Sequence, residues 1–226
     1  MKYSNIIKGK FISRPNRFIA YVDIDGKKTL CHVKNTGRCK ELLVPDVDVF
    51  LQYFPNTSRK TEYDLIAVQK GKILINMDSQ APNKVFYEWA PMYFKDIKLL
   101  KPEYKYLNSR FDCYIETSKD KILVEVKGVT LENDGVVKFP DAPTERGLKH
   151  ILELIEATKH GYEAYIVFVI QMTDVIYMTA NRDTHPEFAD ALLLAQENGV
   201  KILCLDCLVS ENELKINKQI KYKPSY

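Results

Sequence analysis

Apolar and polar positions alternate in short runs through the first third of the chain. Phe18–Ile24 and Lys27–Val33 alternate with a period of two, and Asp25-Gly26 between them is a tight hairpin signal. Val47–Tyr53 and Glu62–Gln69 read as further strands. Cys39–Leu43 reads as a short helical piece stopped near Pro45. Several short strands within one small segment predict a closed or partly open β-barrel of the OB type over residues 1–80. Barrels of that type often bind oligonucleotides.

From residue 81 onward the pattern changes. Residues 80–105 read as a connector with a helix near Asn83–Ala90, and Lys98–Pro102 leads onward. Arg110–Glu116 and Lys121–Lys127 are strand-like and predict a hairpin across Thr117–Asp120. A loop at Glu132–Gly135 follows. Helix-start signals then gather at Phe139–Thr144, where Asp141 or Thr144 can cap and Pro143 suits a first turn. That helix is expected to reach about Lys159, with Leu148, Ile151, Leu152 and Ile155 on its buried face and Gly161 past its end. Tyr162–Ile170 reads as a buried strand, Asp174–Met178 as another, Pro186–Asn198 as a helix and Val200–Val209 as a last strand. The expected fold class is α+β/α/β with two domains. An OB-like barrel (1–80) precedes a restriction-endonuclease-like mixed sheet flanked by helices (81–226).

Charge sharpens this division. The net charge of +3 conceals a basic start, because the first 40 residues hold ten Lys/Arg against two Asp/Glu. A basic block suits a polyanion, since neutralising phosphates releases counterions. Arg14, Arg17, Lys34, Arg38, Arg59 and Lys60 are the phosphate-contact candidates. The turn Asn35–Gly37 offers backbone N–H groups. Tyr21, Tyr53, Phe54 and Tyr63 offer stacking surfaces, with at least half of them expected in the barrel core. No recognition-helix signature supports sequence-specific reading.

No apolar run approaches membrane-spanning length and no signal-peptide core opens the chain, so a cytoplasmic protein with no membrane partner is expected. The five cysteines are odd in number and scattered. Cys204 and Cys207 form a lone CxxC inside an apolar strand, which reads as buried thiols and not as a zinc knuckle.

The candidate chemistry lies on the predicted hairpin. Glu125 and Lys127 project from one strand face with Val126 on the other, and Asp112 approaches them from the paired strand. Two carboxylates and an ammonium on one face are costly to desolvate, and a divalent cation relieves that cost. Hard oxygen ligands suit Mg²⁺ or Mn²⁺ held by Asp112 and Glu125, with Lys127 beside the attacked phosphate. The plain alternative is a polar strand face with a cross-strand pair.

This is the pattern of the PD-(D/E)xK nuclease superfamily, with Phe111 standing before Asp112 where the superfamily has proline. More extensively, the chain resembles the sugar fermentation stimulation protein family. The resemblance rests on His32–Arg38, Arg59–Val68, Ser109–Asp112, Val124–Thr130 and Phe139–His150. It implies an OB-like domain followed by a nuclease-like domain. It also implies DNA binding without sequence specificity and a link to the regulation of sugar (maltose) catabolism. Glu145 and Arg146 are possible accessory residues at the helix start. Gly147 is unusual inside a helix and suggests a close approach, and His150 reads as a solvated helix residue. Two functions stay open: a metal-dependent DNA nuclease, and a catalytically silent DNA-binding regulator on a nuclease-like scaffold. Oligomeric state is not legible.

Overall fold

The computed structural model describes residues 1–35, 37–55 and 58–226. Thr36, at the centre of the expected Asn35–Gly37 turn, lies outside them.

The Asp25-Gly26 hairpin forms as read. Both residues take positive φ (53° and 81°), as a type I′ turn requires, and Ile24 pairs with Lys27. It joins β2 (Ile19–Ile24) to β3 (Lys27–Val33). Around them run β1 (Ile6–Asn16), β4 (Asp48–Tyr53), β5 (Tyr63–Lys70) and β6 (Ile73–Asn76). The strand order is β3-β2-β1-β4-β5-β6, and a parallel β3–β5 pairing, His32 opposite Asp64 and Val33 opposite Leu65, closes five of the strands into a barrel. Closure presses β1 against β2 at Gly9, where a Cβ would lie 2.5 Å from Val22 Cγ1. Alternate residues fill the interior: Phe11, Ala20, Val22, Cys31, Val33, Val49, Leu51 and Leu65 are all buried. Cys39–Leu43 is a single turn and not a helix. Leu42 and Leu43 both donate N–H bonds to Cys39 O, and both are buried.

The expected connector is instead structural. Residues 80–105 hold helix α1 (Ala81–Tyr93), with Pro82 in its first turn, and edge strand β7 (Leu99–Tyr106). β7 carries Lys101, Pro102 and Lys105, residues that suit an unpaired edge. It begins a nine-stranded sheet completed by β8 (Ser109–Glu116), β9 (Lys121–Val129), β10 (Leu131–Asn133), β11 (Val136–Phe139), β12 (Glu163–Ile170), β13 (Tyr177–Ala180), β14 (Lys201–Ser210) and β15 (Glu213–Tyr222). The order is β10-β11-β13-β15-β14-β12-β9-β8-β7, with β9, β12 and β14 parallel at the centre. The expected loop at Glu132–Gly135 is the β10–β11 hairpin. β12 is buried along almost its whole length, as a central parallel strand covered on both faces must be.

Helices α2 (Glu145–Lys159) and α3 (Pro186–Glu197) cover one face and α1 the other. The α2 stripe is rotated from the expected one. Gly147, His150, Ile151, Leu154 and Ile155 are buried, while Leu152 is exposed. Thr144 is the N-cap and accepts from Gly147 N–H at 3.1 Å. The close approach at Gly147 is made by Thr144 and by Phe188 of α3.

The two domains share a polar junction. Asp78 is fully buried and accepts from Lys34 Nζ at 2.6 Å and from the Tyr3 hydroxyl at 3.3 Å. Gln171, just past β12, donates to Asn76 Oδ1 and to Asp78 O. It fits because position 128 has no side chain: a Cβ there would lie 2.6 Å from Gln171 Oε1. Lys70 of β5 pairs with Glu132 of β10 at 2.6 Å. Arg38 N–H donates to Asp141 Oδ2 at 3.3 Å, tying the barrel loop to the entrance of α2.

Candidate nuclease-like centre

β8 and β9 are antiparallel, with Cys113 opposite Val124 and Tyr114 opposite Leu123. The ladder ends there. One residue further back, the Asp112 carboxylate replaces the backbone, its Oδ2 accepting the Val126 N–H at 2.8 Å. Its Oδ1 accepts from Asn83 Nδ2 of α1 at 2.9 Å, and the Tyr87 hydroxyl donates to the Asp112 carbonyl. Burial, followed by the nearby Glu125 charge, pushes the Asp112 carboxyl above the ordinary carboxylate range.

Glu125 and Lys127 share a face of β9, and Val126 packs on the α1 side, as alternation predicts. Lys127 Nζ donates to Glu125 Oε1 at 2.5 Å. His150 Nδ1 is hydrogen-bonded to the same oxygen, which places the imidazole proton on Nδ1. Burial alone would raise Glu125, but the His150 bond and the Lys127 ammonium outweigh it and hold the carboxyl below its usual range. Glu125 Oε2 is buried and has no hydrogen-bond partner. Such an orphaned carboxylate oxygen is costly, and it marks where a further positive group fits.

His150 departs from expectation. It is 3% exposed, packs its ring on Phe111 with centroids 5.7 Å apart, and is bonded within the centre. A legible signal existed: helical spacing places it between Gly147 and Leu154 on the buried stripe. Among the described residues, no three His, Cys, Asp or Glu side chains are grouped to hold a metal. Asp112 and Glu125 are the two carboxylates that the hairpin brings together there. A hexacoordinate cation there needs backbone, water or phosphate oxygens besides.

The other candidates divide by what already occupies them. Arg14 donates to four backbone carbonyls, those of Gly37, Arg38, Arg17 and Asn35, so it clamps the loop that presents Arg38. Lys34 is committed to Asp78. Arg59 pairs with the buried Asp64 and lies over the Phe54 ring at 4.7 Å. Arg17, Arg38 and Lys60 are exposed. Arg17 and Arg38, with Lys40, line a groove of about 490 Å³ whose floor includes Phe11, Leu43 and Pro45. Phe18, 48% exposed beneath the Arg17 guanidinium at 5.1 Å, is an aromatic platform not anticipated from sequence. Tyr21, Tyr53, Phe54 and Tyr63 are half-buried on the barrel wall, and none lies fully in the core. Glu145 and Arg146 are both exposed at the start of α2. Cys204 and Cys207 lie in the cores on opposite faces of the sheet, so they do not converge. No helix among the described residues is long and apolar enough to cross a membrane.

A closed OB-like barrel followed by a helix-covered mixed sheet, with a carboxylate pair at its hairpin, defines a two-domain protein of restriction-endonuclease-like architecture. Residues 12–77 match the SfsA N-terminal OB domain, and residues 80–213 match the sugar fermentation stimulation protein RE domain. The chain belongs to the sugar fermentation stimulation protein family. It is 60% identical over 222 residues to a sugar fermentation stimulation protein homolog of Clostridium beijerinckii, covering 97% of this chain and 98% of that one. It is 59% identical to a homolog of Desulfitobacterium hafniense, covering 99% and 98%. The solved structure of Pyrococcus furiosus SfsA in complex with Ca²⁺ aligns with a TM-score of 0.88 at 27% identity, covering 99% of this chain and 98% of that one.

Proposed function

We propose that this protein binds DNA without reading its sequence, and that Asp112, Glu125 and Lys127 form a divalent-cation-dependent phosphodiesterase centre. The observation that carries the reading is the unpartnered Glu125 Oε2, buried beside an Asp112 whose ionised form is disfavoured. Both features are relieved by a cation. The Pyrococcus furiosus protein was solved as a complex with Ca²⁺, which supports divalent-cation binding by this fold. Asp112 and Glu125 would hold Mg²⁺ or Mn²⁺, with the Val126 carbonyl a further candidate donor. A bound cation of that kind neutralises phosphoryl oxygens and acidifies a coordinated water.

The residues of the chain supply order. Asn83 and the Val126 N–H fix Asp112, and His150 fixes Glu125 Oε1. Lys127, with its side chain 16% exposed, lies nearer solvent than Glu125 or His150, and it stands to exchange Glu125 for a phosphate oxygen. The groove bearing Arg17, Arg38 and Lys40 would hold the strand through its phosphates. Any effect on sugar fermentation, the property in the relatives' names, would then run through nucleic acid.

One observation favours a second reading. Lys127 is already engaged by Glu125, and His150 adds a second donor to the same oxygen, so the centre is partly neutralised from within. A DNA-binding protein without cleavage fits that arrangement.

Incubating labelled single- and double-stranded DNA with Mg²⁺, Mn²⁺ or EDTA separates the readings. Metal-dependent fragments are expected from the wild type, and none from Asp112→Asn or Lys127→Ala. Retarded but intact DNA in every lane would replace the nuclease reading with the binding one. Fragments that persist in EDTA would overturn the metal-dependent centre.

A further inference from the structure

A second basic basin lies on the α2 side, apart from the barrel groove. It encloses about 520 Å³ and is bounded by Asn108 and Arg110 at the start of β8 and by Arg146, Lys149 and His150 of α2. Arg146 and Lys149 are three residues apart and share a helix face. Arg146 has no ion-pair or hydrogen-bond partner among the described residues. Lys149 makes only a 3.7 Å contact with Glu153 and a 3.5 Å bond to Asn108 O. Arg110 reaches Glu103 at 3.3 Å, with the side chains 63% and 72% exposed. Exposed pairs of this kind hold little energy and yield readily to a phosphate.

The basin is connected to the candidate centre through its floor. His150 lines it while its Nδ1 holds Glu125, so one imidazole ring separates the basin from the carboxylates. Arg110 stands two residues before Asp112 on the same strand. Resting on the nucleic-acid reading above, we propose that this basin is the phosphate subsite of the second domain. Arg146, Lys149 and Arg110 seat the phosphodiester backbone there, so the strand spans both domains. Three donors of one sign around an open basin suit successive phosphates of a polymer, and the arginines suit their oxygens. Glu145 is the one carboxylate on the rim, and it is turned within 3.6 Å of His185 Nε2.

The test is fluorescence anisotropy with a labelled oligodeoxynucleotide in EDTA, across a salt series, with inorganic phosphate as competitor. All three cations are exposed, so Arg146→Gln with Lys149→Gln leaves the fold intact, and equal unfolding midpoints check that. The pair is expected to weaken binding on the order of tenfold and to flatten the salt slope by roughly 1.4–1.8. Glu145→Gln is expected to tighten binding. Unchanged affinity and slope in the double variant, with the wild type binding normally, would overturn the subsite and leave the DNA-binding reading intact. Absence of salt-sensitive binding by the wild type would overturn both. Full displacement by millimolar phosphate would replace the polymer with a free anion as the ligand.

Discussion

The barrel and the hairpin centre of the sheet domain treat charge differently. In the barrel, three basic side chains are held by acceptors: Arg14 by four carbonyls, with its Nε alone unpartnered, Lys34 by Asp78, and Arg59 by the buried Asp64. In the sheet domain, the hairpin centre is left short of positive charge, with Glu125 Oε2 unpartnered and Asp112 raised by burial. Satisfied charge builds structure, and its removal costs stability. Unsatisfied charge inside a protein is tolerated where a ligand completes it. On this contrast, the barrel's paired cations hold its loops and its junction. The strained carboxylates and the exposed arginines are left to meet partners.

The contrast breaks first at Asp78. Asp78→Ala leaves Lys34 without its partner in a buried junction and should cost roughly 3–5 kcal/mol in equilibrium urea unfolding. A loss under about 1 kcal/mol would mean that the junction does not rely on that charge. Gly128→Ala comes next. The new Cβ meets Gln171 Oε1 at 2.6 Å and Pro82 Cγ at 2.7 Å, so overpacking should cost about 1–3 kcal/mol by the same measurement.

Glu132 sharpens the comparison through pH. Burial would raise it, but the Lys70 bond and the Gly135 N–H outweigh that effect, so it titrates below its ordinary 4.5. A lowered folded pKa contributes stability that is present above about 4.5 and lost as pH falls through the folded value. Glu132→Gln should therefore cost about 1–2 kcal/mol at neutral pH, and the deficit should vanish in acid. A deficit independent of pH would assign the loss to packing. The smallest stability effect is expected for Arg17→Ala with Arg38→Ala, within about 0.5 kcal/mol because both are exposed. The same pair should flatten the salt dependence of DNA binding by roughly 1.4–1.8.

Much of this was legible where local rules dominate. Asp25-Gly26 fixed a hairpin because its turn type demands positive φ. Glu125 and Lys127 shared a face because strands alternate. Tertiary context hid the rest. β15 does alternate, with Leu214 and Ile216 buried, but its lysine-rich sequence conceals a strand whose apolar side alone meets the sheet. Residues 80–105 read as a connector because β7 is an edge strand, and edges resemble loops in composition. His150 is polar yet lies on the buried phase of α2, so residue type and helical phase disagree there. The buried stripe of α2 runs one position away from the most apolar one, and a histidine fills it for the sake of Glu125. Arg14 shows a further limit, since nothing local distinguishes a guanidinium that meets phosphate from one that clamps its own loop.

The five thiols give the molecule a built-in clock. Cys31 and Cys39 lie in the barrel, and Cys113, Cys204 and Cys207 in the sheet domain, all of them buried. Burial pushes Cys31, Cys39, Cys113 and Cys204 up to about 12, so little thiolate exists in the closed state. A thiol reagent in solution reacts only when a domain opens. Mass-resolved labelling therefore times the barrel and the sheet separately in one unmodified chain. Equal rates would mark a single cooperative unit locked at Asp78, and unequal rates would show which domain lets go first.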